Sequence, residues 1–285
     1  MRKSIIIRAN FGHEIMACNF AAAYGVDVLV CPNKENKEEY NAEAEKIARF
    51  MRYFYDVKIV PFEKKDALDA RDIIAELKAG QLSDLEWEKF FSTSIEPSVE
   101  FDEPEFFKYS PSHYYNILVV PQKLLSDGEC GVSAKEQSVD PSVFESLKDK
   151  CDLILGQHFN KVADLDTVKK LAKEFNMFVP GLKEHQEVLG IRGVEHRMYH
   201  NLYSRLNGSI GIAGTHTWIM LTAFPEIPQV IIYNKNGVEN WEAISRAARR
   251  AGRKVVTVGF DETTDMTELS SRLKRACVAL GMKSF

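Results

Sequence analysis

Residues 208–235 read GSIGIAGTHTWIMLTAFPEIPQVIIYNK, and this stretch decides the fold. The short apolar run Ile210-Gly211-Ile212 ends in Ala213-Gly214. Thr215-His216-Thr217 then opens an apolar segment, 217–224, of helical length. Pro225 and Pro228 stop that helix, and Val230–Tyr233 is a β-branched strand. Strand, turn, helix and strand in this order form a β-α-β unit, the building block of a parallel sheet. The first turn carries the chemical interest. Backbone N–H groups at a helix start, with two hydroxyls and an imidazole beside them, suit a phosphate or pyrophosphate. The same residues also suit a plain Thr-capped turn before a core helix.

The pattern repeats outward from this unit. At the N-terminus, 3–8 (KSIIIR) is a continuous apolar strand, 15–24 an apolar helix stopped by Gly25, and 26–31 a second strand. A charged amphipathic helix over 37–55 and a strand over 57–62 follow, with further helical signal over 69–91. Residues 92–113, STSIEPSVEFDEPEFFKYSPSH, are rich in proline, acid and aromatic residues without a period and read as a linker. A second series then runs strand 117–120, helix 141–150, strand 152–156, helix 166–175, strand 177–179, helix 195–206, the opening unit, helix 239–251, strand 254–259 and helix 267–280. The expected architecture is α/β: two Rossmann-like βα domains facing a central cleft. The expected division is an acceptor-side domain over 1–112 and a nucleotide-binding domain over 113–285, with the last helix packing back on the first domain.

Composition bounds the function. A chain of 285 residues with 45% hydrophobic and 27% charged residues is long enough for two domains and contains no apolar run of membrane-spanning length. Its start lacks the pattern of a secretory signal, and its five cysteines are odd in number and widely spread, so a cytoplasmic setting with reduced thiols is expected. A net charge of −4 argues against a surface that binds nucleic acid all over, but leaves room for a local basic face. Arg246, Arg249, Arg250, Arg253 and Lys254 form such a cluster.

Candidate chemistry falls at the strand ends, where a parallel sheet presents its loops to ligand. After the first strand, Asn10-Phe11-Gly12-His13-Glu14 offers His13 as a general base, with Glu14 as its orienting partner or as the base itself. The same two residues also serve as an ordinary helix start. In the second series, Lys123 and Lys135 flank a polar loop and either could reach a diphosphate. Gly156, Gln157 and His158 close one strand, and Gly181 to Glu184 the next; these could line a base or ribose pocket. Gly214, Thr215, His216 and Thr217 make the phosphate turn, and Asp261 and Glu262 are weaker candidates for sugar hydroxyls. His196 and His200 are four apart on one helix but have no acidic or cysteine companion, so no metal site is expected. The absence of GxGxxG after the first strand removes the main support for nicotinamide or flavin chemistry.

The order of elements and loops resembles the ADP-heptose:lipopolysaccharide heptosyltransferase-like glycosyltransferases. The resemblance is carried by IIIRANFGHEIMA near the N-terminus and by ILVVPQ, the Lys135 loop, LILGQHF, MFVPGL and IGIAGTHTW in the second half. It implies the two-domain GT-B architecture and transfer of a sugar from a nucleotide-sugar donor to an acceptor hydroxyl, inverting and without a required cofactor or metal. His13 then matches the acceptor-activating acid, Lys135 contacts the donor diphosphate, and Gly214, Thr215 and His216 form the diphosphate turn. A histidine stands where the family has aspartate, and Gly-Thr-His replaces an Asp-Ser-Gly type of turn. The implied acceptor is a glycan, with a hydroxylated nucleic-acid base as the lesser option. A nucleotide-sugar epimerase of the same form and a non-catalytic nucleotide- or sugar-binding module are the other readings.

Overall fold

The computed structural model describes residues 4–8, 11–67, 83–98, 116–120, 141–147, 152–155, 169–170, 172–178, 203–237 and 239–282. It is an α/β protein, and the described residues form two parallel sheets, one of three strands and one of six. By internal contacts the chain divides into two compact units. The first comprises 1–100, 215–225 and 238–253, and the second 101–214, 226–237 and 254–285. The sequence reading places a single break at 112/113; the units instead interleave, and two helices from the second half of the chain belong to the first unit.

In the first unit, β1 (Ser4–Ile7), β2 (Asp27–Val30) and β3 (Val57–Ile59) pair in parallel in that order. Ile5 and Ile7 alternate inward with Val28 and Val30, as the two-residue period of a strand demands. Helix α1 (Phe11–Tyr24) joins β1 to β2 and is predominantly apolar. Residues 14–21 are all buried, so α1 is a core helix and not a surface one. It stops at Gly25, whose φ of +64° lets its N–H reach back to Ala21 O at 2.7 Å. Helix α2 (Lys37–Met51) is amphipathic and ends four residues before the expected Tyr55; its N-cap Asn36 accepts from Glu39 N at 2.8 Å, a contact worth about 1 kcal/mol. Helix α3 (Asp84–Ser92) opens with a reciprocal Ser83–Glu86 capping box.

Among the described residues, the remaining α-helices of this unit are α4 (Thr215–Ala223) and α5 (Trp241–Arg250). Helix α4 packs on α1, and α5 packs on α3. Like α1, α4 is buried on all sides, with Trp218, Ile219, Met220 and Leu221 all but inaccessible. The three tryptophans of the chain meet here. Trp87 stacks on Trp218 with centroids 5.9 Å apart, and Trp218 leans on Trp241 at 5.1 Å. Arg253, just beyond α5, is buried and donates to Thr93 O at 3.0 Å and Ser94 Oγ at 3.2 Å, tying the end of α5 to the end of α3.

The second unit is built on six parallel strands: β4 (Asn116–Val120), β5 (Asp152–Leu155), β6 (Met177–Phe178), β7 (Gly208–Ile212), β8 (Gln229–Asn234) and β9 (Val255–Phe260). Their spatial order is β6-β5-β4-β7-β8-β9. The chain steps outward from β4 to β6, returns to place β7 on the other side of β4, and steps outward again. In order of appearance this is 3-2-1-4-5-6, the order of doubly wound dinucleotide-binding sheets, whose direction reverses between β4 and β7.

Helix α6 (Met266–Ala279) covers one face of this sheet, packing on β8, β9 and the 3₁₀ segment Pro141–Leu147. The last helix thus belongs to the second unit, whereas the sequence reading packs it back on the first. Leu269, Leu273, Ala276 and Cys277 meet Ile210, Ile212, Val230, Ile232, Val258 and Phe260, each large aliphatic contributing about 1.5–3 kcal/mol by burial. On β8, Gln229, Ile231 and Tyr233 are buried on the opposite face as well, the mark of an interior strand.

Candidate functional site

The reversal between β4 and β7 marks the place where a sheet of this order receives ligand, beyond the carboxyl ends of its strands. Strand β7 pairs with β4 from Ile117↔Gly208 to Val120↔Gly211 and with β8 on its other side. The ladder continues one residue past β7, where Ala213 N donates to Ile232 O at 2.8 Å. Gly214 follows, and α4 begins at Thr215. The phosphate turn read from sequence therefore lies at the reversal point and leads straight into a helix N-terminus. The first N–H groups of such a helix carry partial positive charge and have no intrahelical acceptor.

His216 and Thr217 lie in the first turn of α4 and are both 7% exposed. A polar side chain is placed in such an interior only at a cost, unless hydrogen bonds or charge offset it. Helix α1 has a similar first turn. The expected loop 10–14 is mostly helix: α1 starts at Phe11, so His13 and Glu14 are helical residues, His13 half-buried and Glu14 only 1% exposed. The positive end of α1 offsets part of the cost of enclosing that carboxylate. Since α1 and α4 pack on one another, the structure brings the two helices carrying these candidates into contact within one unit. Sequence periodicity does not disclose that pairing.

Glu14 leaves a mark on its neighbour. Burial, and then the charge of Glu14, push the Cys18 thiol well above its ordinary range, so Cys18 stays protonated and unreactive. Its Sγ faces Met51 O at 3.9 Å. Cys31 and Cys277 are buried free thiols too, as expected of packed cysteines.

Other sequence candidates divide clearly. Asp261, at the carboxyl end of β9, is committed within its own loop. It accepts from Lys235 Nζ at 2.8 Å, Thr263 N at 3.1 Å, Thr263 Oγ1 at 2.7 Å and Thr264 Oγ1 at 3.0 Å. These donors, Lys235 first, hold its carboxyl well below the usual carboxylate range. The contact to Lys235, a residue the sequence reading passed over, ties the loops after β8 and β9 together; its only sequence signal is its place just past a strand end. The basic cluster also splits. Arg246, Arg249 and Arg250 are exposed on α5, Arg253 is a buried structural anchor, and Lys254 faces Glu226 at 3.6 Å.

Lys123, Lys135, Gly156, Gln157, His158, Gly181, Glu184, His196 and His200 lie outside the described residues. Among the described residues no group of three His, Cys, Asp or Glu side chains is placed to hold a metal ion, and no helix is long and apolar enough to cross a membrane. Comparison with protein-family models, with curated proteins and with solved structures finds no match to this chain.

Proposed function

We propose that the protein is a nucleotide-sugar-dependent glycosyltransferase of GT-B type, related to the heptosyltransferase-like enzymes, whose donor diphosphate is received by Gly214, Thr215, His216 and Thr217. The observation that carries this reading is the position of that turn, at the reversal point of a 3-2-1-4-5-6 parallel sheet and at the N-terminus of α4. In the reaction, the acceptor hydroxyl oxygen attacks the anomeric carbon and the bond from that carbon to the diphosphate oxygen breaks. The acceptor proton passes to His13, and the nucleoside diphosphate leaves with the bonding pair. Charge then grows on the leaving diphosphate, where the N–H groups of the α4 first turn and Lys135 stabilise it, and the scheme calls for no resident metal. Between the two candidate bases, half-buried His13 suits proton transfer better than enclosed Glu14, which is left the role of holding His13 or the helix start in place. Gly156, Gln157 and Gly181 are assigned to the base and ribose, and the acceptor is a glycan or another hydroxyl compound.

The test is calorimetric titration of the purified protein with UDP-, GDP-, ADP-, CMP- and dTDP-linked sugars, followed by product analysis. One nucleotide class is expected to bind, and its free nucleotide to be released only when an acceptor is supplied. No heat with any donor at millimolar concentration removes the donor site. Binding with no acceptor-dependent release leaves a nucleotide-binding module, and isomerisation of the donor alone points to an epimerase.

A further inference from the structure

The outer face of α5 has no part in the donor site. Arg246, Arg249 and Arg250 are spaced i, i+3 and i+4, which places Arg249 and Arg250 on the same side of the helix as Arg246 and about 4.5 and 6 Å further along its axis. All are exposed. Arg249 and Arg250 lie in the last turn, where positive charge complements the helix dipole, but Arg246 is a turn earlier and extends the stripe beyond what the dipole explains. The acidic residue of the helix, Glu242, is in the first turn, four residues before Arg246 on the same face, where it complements the helix dipole. Among the described residues neither Arg246 nor Arg249 is in a salt bridge, although the chain as a whole is acidic at −4.

The platform beneath is rigid. Trp241, Ile244, Ala247 and Ala248 bury the inner face of α5, and Arg253 pins its end through Thr93 and Ser94. We infer that this arginine face docks the phosphodiester backbone of a nucleic acid. Guanidinium forks match phosphate oxygens in pairs, so three arginines on one fixed face suit a chain of phosphates better than a point charge. The face itself offers charge and no large apolar side chain, since Trp241 and Ile244 are buried, which favours nucleic acid over the other anionic partners. An anionic membrane or an acidic protein helix is held by apolar side chains as well as by charge, and among the described residues Val278, 61% exposed and on α6, is the exposed large hydrophobic residue.

The test is fluorescence anisotropy with labelled DNA and RNA oligonucleotides of about 20 nucleotides, single- and double-stranded, between 50 and 200 mM salt. No sugar donor is present, so the outcome is independent of the glycosyltransferase reading. The wild type is expected to bind at 50 mM salt with a Kd on the order of 1–100 μM and an affinity falling steeply with salt. R246Q/R249Q/R250Q should lose at least about tenfold and flatten the log–log salt slope by roughly 2–3, one ion released per phosphate contact. R246K/R249K/R250K should keep most of the slope while losing part of the affinity. Emission from the buried tryptophan cluster, which includes Trp241 on the inner face of the same helix, verifies that each variant is folded. The inference is overturned if the wild type fails to bind at 50 mM salt, or if the glutamine variant binds as the wild type does. It is also overturned if phosphatidylserine vesicles, and not oligonucleotides, are what the arginines hold.

Discussion

Trp87 of α3 and Trp218 of α4 lie face to face, their ring planes 14° apart and their centroids 5.9 Å apart, although they stand in opposite halves of the sequence. Stacked aromatic pairs contribute about 0.5–1.5 kcal/mol beyond their burial. The contact also means that the core of the first unit is completed from the second half of the sequence.

A fragment of residues 1–112 should therefore fail to fold. It keeps β1, β2, β3, α1, α2 and α3 but lacks α4 and α5, leaving the apolar surface of α1 and the Trp87–Phe91 cluster open to water. Its single tryptophan should emit like one in water, and urea should produce no cooperative transition. A blue-shifted emission with a sharp transition would show that the segment is an independent domain.

Replacement of Trp218 by alanine should cost about 3–5 kcal/mol, the range for removing a large aromatic from a core that collapses only in part. Replacement by phenylalanine should cost less, because a ring still separates Trp87 from Trp241. Urea titrations followed by far-UV circular dichroism measure both, and equal losses would count against the stacked column.

Gly259 of β9 is opposite Tyr233 of β8, and a Cβ added there would be 2.8 Å from Tyr233 Cζ and Oη. The tyrosine ring lies over the bare glycine backbone, so G259A should destabilise by about 1–3 kcal/mol through overpacking. In a Y233L background the same change should cost much less. A double-mutant cycle reads the difference, and additivity within about 0.5 kcal/mol would show that the ring is not the obstacle.

Asp261 sets a pH dependence. Its folded-state pKa is depressed, so the unfolded chain takes up the proton first on acidification. The stabilisation from its Lys235 and threonine contacts is complete at neutral pH and fades as the pH falls through about 4 and below. Wild type should lose more Tm between pH 7 and pH 3 than D261N does. If the two Tm curves run parallel over that range, Asp261 is not the group responsible.

Much of this architecture is written locally. The β-branched runs, the Asn36, Ser83 and Asp265 caps and the glycine stop at Gly25 place most described elements within a few residues of where the periodicity puts them. At Gly214 to Thr217 the strand end and helix start were legible, because an apolar run closing in small residues and then hydroxyl residues marks a strand-to-helix turn. The helix start was less legible at His13 and Glu14, read as a loop. They are helical residues because α1 already starts at Phe11, and Glu14 is enclosed by tertiary packing that its own sequence neighbourhood does not announce.

By itself, then, the sequence determined an α/β chain of alternating strands and helices, since side-chain period, capping and proline stops act over a few residues. Only the tertiary structure decided that β7 returns beside β4, which makes the turn after it a reversal point, and that α4 and α5 join α1 and α3. The physical reason is that α1 and α4 are buried on nearly every side and have no separate polar face. A helix with no polar face carries no local mark of which neighbour will bury it, and that choice is made by the packing of the whole chain.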